Sequence, residues 1–238
     1  MSNNFFEVLD NGAKEFGLQL TDAQKHQFET YKDLLKEWNN KINLTSILDD
    51  EDIAIKHFVD SLSILSYIKD GSASLIDVGT GAGFPGIPVK ILRDNINVTL
   101  LDSLEKRTKF LNEVITTLNL SNIQTVHKRA EDLGIDLEYR QKFDYVCARA
   151  VASLPVLLEY CLPFVKVGGI FIAMKGSNID EVSLSQNALK ILGGKIEEVK
   201  EFNLPNSDYK RNIIIVKKVK QTPKGYPRKA GKPSKMPL

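Results

Sequence analysis

Four glycines fall within eight residues in the stretch LIDVGTGAGFPGIPVKIL, between an apolar run and a helical pattern. Gly81-Ala82-Gly83-Phe84-Pro85-Gly86 fits the dinucleotide fingerprint G-x-G-x-x-G. Gly79-Thr80-Gly81-Ala82-Gly83 fits the G-x-G-x-G loop of proteins that bind S-adenosyl-L-methionine. Either ligand needs a bare backbone where the carboxyl end of a strand meets a helix. The neighbouring residues separate the two. A pyrophosphate sits on free N–H groups at the helix start, and Pro85 and Pro88 remove donors there. Asp77 closes the strand, giving D-x-G-x-G-x-G, and a carboxylate there would attract a sulfonium or amino group and repel a pyrophosphate. The loop therefore favours S-adenosyl-L-methionine. The rival is a nicotinamide-dependent oxidoreductase, for which no Tyr/Lys or His/Asp motif follows the fourth predicted strand.

Other residues fall where chemistry could gather. Asp102 ends the second predicted strand, placed to accept hydrogen bonds from ribose hydroxyls in either cofactor class. Ala130-Glu131 follow the third strand, on the side of an adenine edge. CARAVASL, after the fourth, lacks the (D/N/S)-P-P-(Y/F) loop that grips an exocyclic amine of adenine and carries Arg149 instead. In IKHFVDSLS, His57 and Asp60 are three apart on one helix face. Lys175-Gly176 ends the fifth strand and Lys210-Arg211 enters the last, so both reach the rim of the glycine loop as a cationic mouth.

These residues need a scaffold, and hydrophobic periodicity supplies one. Residues 1–70 read as a helical extension. A short helix precedes Gly17, one begins at Thr21 with a Thr21/Gln24 capping box, and another runs from about Glu51 to Tyr67. Residues 71–220 alternate short apolar strands (SLIDV, NVTLLD, IQTVH, FDYVCARA, GGIFIAMKG) with amphipathic helices, the last helix spanning roughly Ile179 to Leu192. That alternation predicts an α/β fold with a parallel sheet covered on both faces. GKIEEVKEFNL and YKRNIIIVKKV, joined by the short link PNSD, predict an antiparallel hairpin closing the sheet.

The net charge of +2 conceals an asymmetry, because residues 217–238 carry eight Lys/Arg and no acid. Residues 221–238, rich in proline and lysine, read as a basic tail without a packed element. Such a tail would attract a polyanion, with Tyr226 free to stack on an unpaired base. Deleting it should then weaken RNA binding and spare the cofactor. Cys147 and Cys161 have no metal-ligand spacing and read as reduced core thiols of a cytosolic protein. No apolar run approaches a bilayer span, and the first residues carry no secretory pattern.

In order along the chain, WNNKINLTS, HFVDSL, IDVGTGAGFPGIP, LLDSLEKRTKFL, RAEDL, ARAVASL and MKG resemble the bacterial small-subunit ribosomal RNA methyltransferase G family, once called glucose-inhibited division protein B. The ending TPKGYPRKAGKPSKMPL is similar to the tail of its Gram-positive branch. The resemblance implies a class I (Rossmann-like) methyltransferase fold, ending in an antiparallel hairpin. It implies transfer of a methyl group from S-adenosyl-L-methionine to N7 of a guanine in the 530 loop of 16S rRNA. On the matching positions, Gly79, Gly81 and Phe84 line the cofactor, Asp102-Ser103 lie at its ribose, Ala130-Glu131 face its adenosine and Arg149 closes the site. His57, Asp60, Lys175 and Arg211 surround the guanine. The expected partner is 16S rRNA or the small subunit, with no metal, no membrane and no need for more than a monomer. A non-catalytic RNA-binding protein of the same fold is the remaining alternative.

Overall fold

The computed structural model describes residues 4–177 and 180–238. The helical extension comprises α1 (Asn4–Glu15) and α2 (Asp22–Ile42), then a run of α3 (Asp50–Ile53), a π-helical turn (Ala54–Val59) and α4 (Asp60–Leu62). A 3₁₀ turn (Leu65–Tyr67) follows. The expected capping box opens α2: the Thr21 hydroxyl accepts from the Gln24 amide at 3.2 Å, and the Gln24 side chain accepts from the Thr21 amide at 3.0 Å. The single helix expected from Glu51 to Tyr67 is instead broken into these segments. A π turn has one extra residue per hydrogen-bonded ring, so its carbonyls splay and can be met by outside donors. Here Ser61 Oγ donates to the His57 carbonyl at 2.5 Å, and a distant arginine donates to the carbonyls of Lys56 and His57.

Seven strands form one sheet in the order β3-β2-β1-β4-β5-β7-β6. They are β1 (Ser74–Val78), β2 (Asn97–Asp102), β3 (Ile123–His127), β4 (Phe143–Arg149), β5 (Val165–Lys175), β6 (Gly194–Asn203) and β7 (Lys210–Lys218). The first five are parallel, and the expected hairpin closes the sheet with β7 antiparallel to both β5 and β6. The chain order reverses between β1 and β4, which opens a crevice outside the strand ends. Because β7 runs the other way, its first residues reach that rim: Lys175 pairs with Asn212, beside Arg211.

The sheet separates two cores. Leu75 and Leu100 face the helical extension with Phe28, Tyr31, Phe58 and Phe110; Ile76, Val78 and Leu101 face the other side with Leu154, Leu157 and Leu158. The crossover helices are α5 (Gly86–Leu92), α6 (Glu105–Thr117), α7 (Ala130–Leu133) and α8 (Leu154–Cys161). The helix expected over residues 179–192 begins outside the described residues at Ile179. The remainder is α9 (Glu181–Leu184) and α10 (Gln186–Leu192), split where Ser185 Oγ turns back onto the Glu181 carbonyl at 2.6 Å. Both cysteines are free and buried, and burial pushes their thiols well up.

The tail corrects the expectation from composition, because it is packed. Thr222, Pro227 and Pro233 are buried, and a short helix, α11 (Lys232–Lys235), lies near its end. The Arg140 guanidinium donates to the carbonyls of Gly134, Thr222, Pro223 and Tyr226 at 2.7–3.1 Å. Lys218 donates to the carbonyls of Leu162 and Leu192 and to the Thr222 hydroxyl; its burial pushes the amine down to about 7. Tyr226 packs against the second core rather than projecting as a free stacking ring. A segment without a core of its own can still fold onto buried partners far away in sequence, which local composition does not register.

Candidate active site

The glycine loop holds itself together. Gly79 and Thr80 amides donate to the Leu101 carbonyl, Gly83 and Phe84 amides to Thr80, and the Ile87 amide to Gly83. The Gly81 amide donates to Asp102 Oδ2 and the Gly86 amide to Asp77 Oδ2, each at 2.9 Å. These N–H groups, the ones a pyrophosphate would need, are spent within the protein. Asp77 therefore acts differently from the sequence expectation. It is fully buried, its Oδ2 also accepts from Thr80 Oγ1 at 2.6 Å, and burial pushes its carboxyl up to about 6. It ties the loop shut and faces no ligand crevice, because Thr80 and Gly86 place their donors on its buried carboxylate.

Two cavities open at the rim. The first, of about 210 Å³, lies over the ends of β1, β2 and β3 and is lined by Gly79, Asp102, Ser103, Ala130 and Glu131. A Cβ on Gly79 would stand 2.8 Å from Val151 Cγ2, so a side chain there would fill the crevice. Asp102 is 2% exposed; its Oδ2 accepts from the Gly81 amide and from Arg107 at 3.4 Å. Its Oδ1 accepts from the Leu104 amide, which leaves a lone pair on Oδ1 for a hydroxyl donor. Gly81 gives its amide to Asp102 and does not line this cavity. Phe84 is buried, stacked on His57 at 4.6 Å and on Tyr31 at 5.4 Å, and does not line this cavity. Sequence reasoning missed Val151, Tyr160, Gly231 and Ser234, which also line it. Only Val151, adjoining the Arg149-Ala150 motif, carried a local signal.

The second cavity, of about 350 Å³, gathers His57, Asp60, Lys175 and Arg211 with Arg149. Arg149 thus faces this cavity rather than the first. Its guanidinium donates to Asp60 Oδ2 at 3.1 Å and to the Lys56 carbonyl at 3.1 Å, and it lies 4.9 Å over the Phe84 ring. Arg211 Nε donates to Asp60 Oδ1 at 3.3 Å. His57 is held between Thr45 Oγ1, 2.9 Å from Nε2, and Arg149 Nη2, 3.4 Å from Nδ1. An arginine can only donate, so Nδ1 accepts and Nε2 carries the proton. Burial, reinforced by Arg149, pushes the imidazole down to about 3 and keeps it neutral.

Lys175 Nζ donates to the Ala152 carbonyl and pairs with Glu181, both at 2.8 Å. Lys56, another lining residue that sequence reasoning missed although it precedes His57, pairs with Asp52 at 2.8 Å. The cations that line this cavity are therefore largely neutralised, Lys56, Arg149, Lys175 and Arg211 each having a carboxylate within reach. Lys210, also expected in a cationic mouth, does not line it. Among the described residues no cluster suits a metal ion, and no helix is long and apolar enough to cross a membrane.

A seven-strand sheet with an inserted antiparallel β7 and a glycine loop at its switch point defines the class I S-adenosylmethionine-dependent methyltransferase fold. Solved structures agree. A SAM-dependent methyltransferase from Aquifex aeolicus matches with a TM-score of 0.52 at 19% identity, over 71% of this chain and 93% of that one. A precorrin-6y C5,15-methyltransferase from Geobacter metallireducens matches with 0.52 at 15% identity, over 67% and 87%. Sequence relatives are far more similar. Proteins called ribosomal RNA small subunit methyltransferase G match at 66% identity in Acetivibrio thermocellus, over 98% of this chain and 96% of the relative. The match is 52% in Clostridium beijerinckii, over 98% and 99%. The GidB family model, described as rRNA small subunit methyltransferase G, matches residues 24–214. The chain belongs to that family.

Proposed function

We propose that this chain transfers the methyl group of S-adenosyl-L-methionine to N7 of a guanine in the 530 loop of 16S rRNA, with the cofactor in the first cavity and the guanine in the second. One observation carries the placement: the end of β4 and the residues just after it form a shared wall, Val151 lining the first cavity and Arg149-Ala150 the second. The two cavities therefore adjoin at residues 149–151, and on this reading the methyl group and N7 meet there. The proposed partner is 16S rRNA or the small subunit, met by the protein as a monomer in the cytoplasm.

The cofactor supplies an electrophilic methyl on a sulfonium. Gly79 gives its ligand room, and Asp102, Ser103 and Glu131 offer acceptors for the ribose hydroxyls and an exocyclic amine. The guanine N7 lone pair is available at neutral pH, so no general base is needed. A neutral His57 with both nitrogens occupied fits that requirement. Arg211 and Lys175 can donate to guanine O6, as cations do on the Hoogsteen edge. Methylation at N7 leaves a positive charge on the base. A wall whose cations already hold Asp60, Asp52 and Glu181 repels that charge less than bare cations would. Orientation of the base and exclusion of water then carry the rate.

The test is methyl transfer from labelled cofactor to 16S rRNA from a strain deleted for this gene, with the product mapped by mass spectrometry. One N7-methylguanine in the 530 loop is expected. Label in another region, or RNA bound without label, refutes the reading.

A further inference from the structure

The outer wall of the first cavity is made by the C-terminal segment, through Gly231 and Ser234. This segment touches the two helices that flank the cavity, α7 and α8. The Gly231 amide donates to Glu131 Oε1 on α7 at 2.9 Å, across 100 positions of sequence. Ser234 Oγ meets Tyr160 Oη on α8 at 2.7 Å. A latch holds these contacts in place. Glu159, 1% exposed, receives the Arg228 amide at 2.8 Å and a two-pronged grip from its guanidinium, with Nε at 2.9 Å and Nη2 at 2.6 Å. Arg228 Nη2 also donates to the Met236 carbonyl at 2.8 Å and so closes the segment on itself.

A bidentate arginine on a buried carboxylate is among the stronger polar contacts a protein makes. A solubilising or RNA-seeking arm has no use for one. Glu131 is 7% exposed, and its carboxylate is oriented by the tail amide on one oxygen. Without that bond the side chain would be free to rotate, and its ordering would be charged against ligand binding.

We propose that residues 226–236 form a wall of the S-adenosyl-L-methionine site, with Gly231 and Glu131 as positioning residues for the adenosine and the Arg228–Glu159 pair as the latch. This rests on the placement of the cofactor in the first cavity. It reverses the expectation that the tail serves only RNA.

The full-length double variant E159Q/R228Q replaces the charged latch by two amides and leaves no unpaired buried charge. Cofactor affinity is measured by calorimetry, and methyl transfer is measured with cofactor and 16S rRNA varied separately. The expected result is a cofactor Kd and KM raised about tenfold, with kcat at saturating cofactor and the RNA KM each within twofold of wild type. Arg228→Lys, which keeps one charged contact, should recover part of the loss. An unchanged cofactor Kd overturns the proposal, and a raised RNA KM alongside it would make the tail an RNA arm.

Asp102→Ala separates this failure from failure of the underlying placement. A normal cofactor Kd in Asp102→Ala would mean that the cofactor lies elsewhere. A raised one, beside a normal Kd in the latch variant, would remove the tail alone. Hydrogen exchange on the wild-type chain decides the matter even if the variant does not fold: added S-adenosyl-L-methionine should slow the amides of residues 231–235, and no slowing overturns the proposal.

Discussion

Asp60 reaches Arg149 with one oxygen and Arg211 with the other, and these arginines come from β4 and β7, on either side of β5. At 4% exposure it is the hub of the second cavity. Asp60→Ala leaves two partly buried guanidiniums without their counter-charge. The expected loss is about 3 kcal/mol in urea unfolding, with methyl transfer down at least tenfold. Asp60→Asn keeps the shape and should lose less stability, yet transfer should still fall. Full transfer in either variant would remove Asp60 from the mechanism.

His57 makes a pH prediction whose sign follows from burial. Its folded value of about 3 lies below the ordinary 6.5, so between these values the unfolded chain binds a proton that the folded chain refuses. Stability from His57 is present above pH 6.5 and drains as the pH falls. Asp77, pushed up to about 6, works the other way between pH 6 and 4 and masks part of the effect in wild type. Comparison with His57→Gln cancels Asp77. The stability of wild type relative to the variant should drop by about 2 kcal/mol from pH 6.5 to pH 5, read by denaturant titration at each pH. A difference that stays level would mean that His57 takes up its proton normally in the fold.

Among the elements, α2 matters through one hydroxyl. Tyr31 is fully buried and donates to the Ala82 carbonyl, so the helical extension braces the glycine loop from beneath. Tyr31→Phe should cost about 1 kcal/mol of stability and weaken cofactor binding by loosening the loop. Gly83→Ala should cost more, about 2 kcal/mol. Its φ is +96°, and a Cβ would stand 2.6 Å from Ile87 Cδ1. Urea unfolding and cofactor calorimetry on both variants check the order.

The same elements show what the residue pattern could carry. Alternating strands and helices, the capping box and the closing hairpin were legible because each is set by neighbours within a few positions. So was the shared rim of Lys175 and Arg211, since strand ends of known direction meet there. His57 and Asp60, on a helical segment, were placed beside them only by the family resemblance, and Arg149 was expected at the cofactor instead. The direction in which Asp77 turns was not legible: a strand-end carboxylate can face a ligand or its own loop, and only the donors at Thr80 and Gly86 decide. Nor was the π turn, which is stabilised by Arg149 from more than ninety positions away. The packed tail escaped for the same reason, because its partners Glu159, Glu131 and Arg140 lie 69 to 100 positions upstream of their contacts.

At the scale of the whole molecule, the folded tail changes how its charge can act. Of the eight cations after residue 216, Lys218 is buried on carbonyls and Arg228 is committed to Glu159, so six remain at the surface. Lys229, Lys232 and Lys235 are exposed around α11, beside the Gly231 and Ser234 that line the first cavity. They should act as sequence-independent phosphate contacts without touching the latch. Replacing all three by alanine should lower the slope of log K for RNA against log salt by about 2, since each single-strand phosphate contact contributes roughly 0.7. Cofactor affinity should stay at the wild-type value, because the backbone of Gly231 and the Arg228–Glu159 pair are untouched. Filter binding of a 16S rRNA fragment across a salt series, beside calorimetry with the cofactor, reads both quantities. An unchanged salt slope would place the RNA on another face. A weakened cofactor would mean that these lysines, and not the latch beneath them, hold the wall in place.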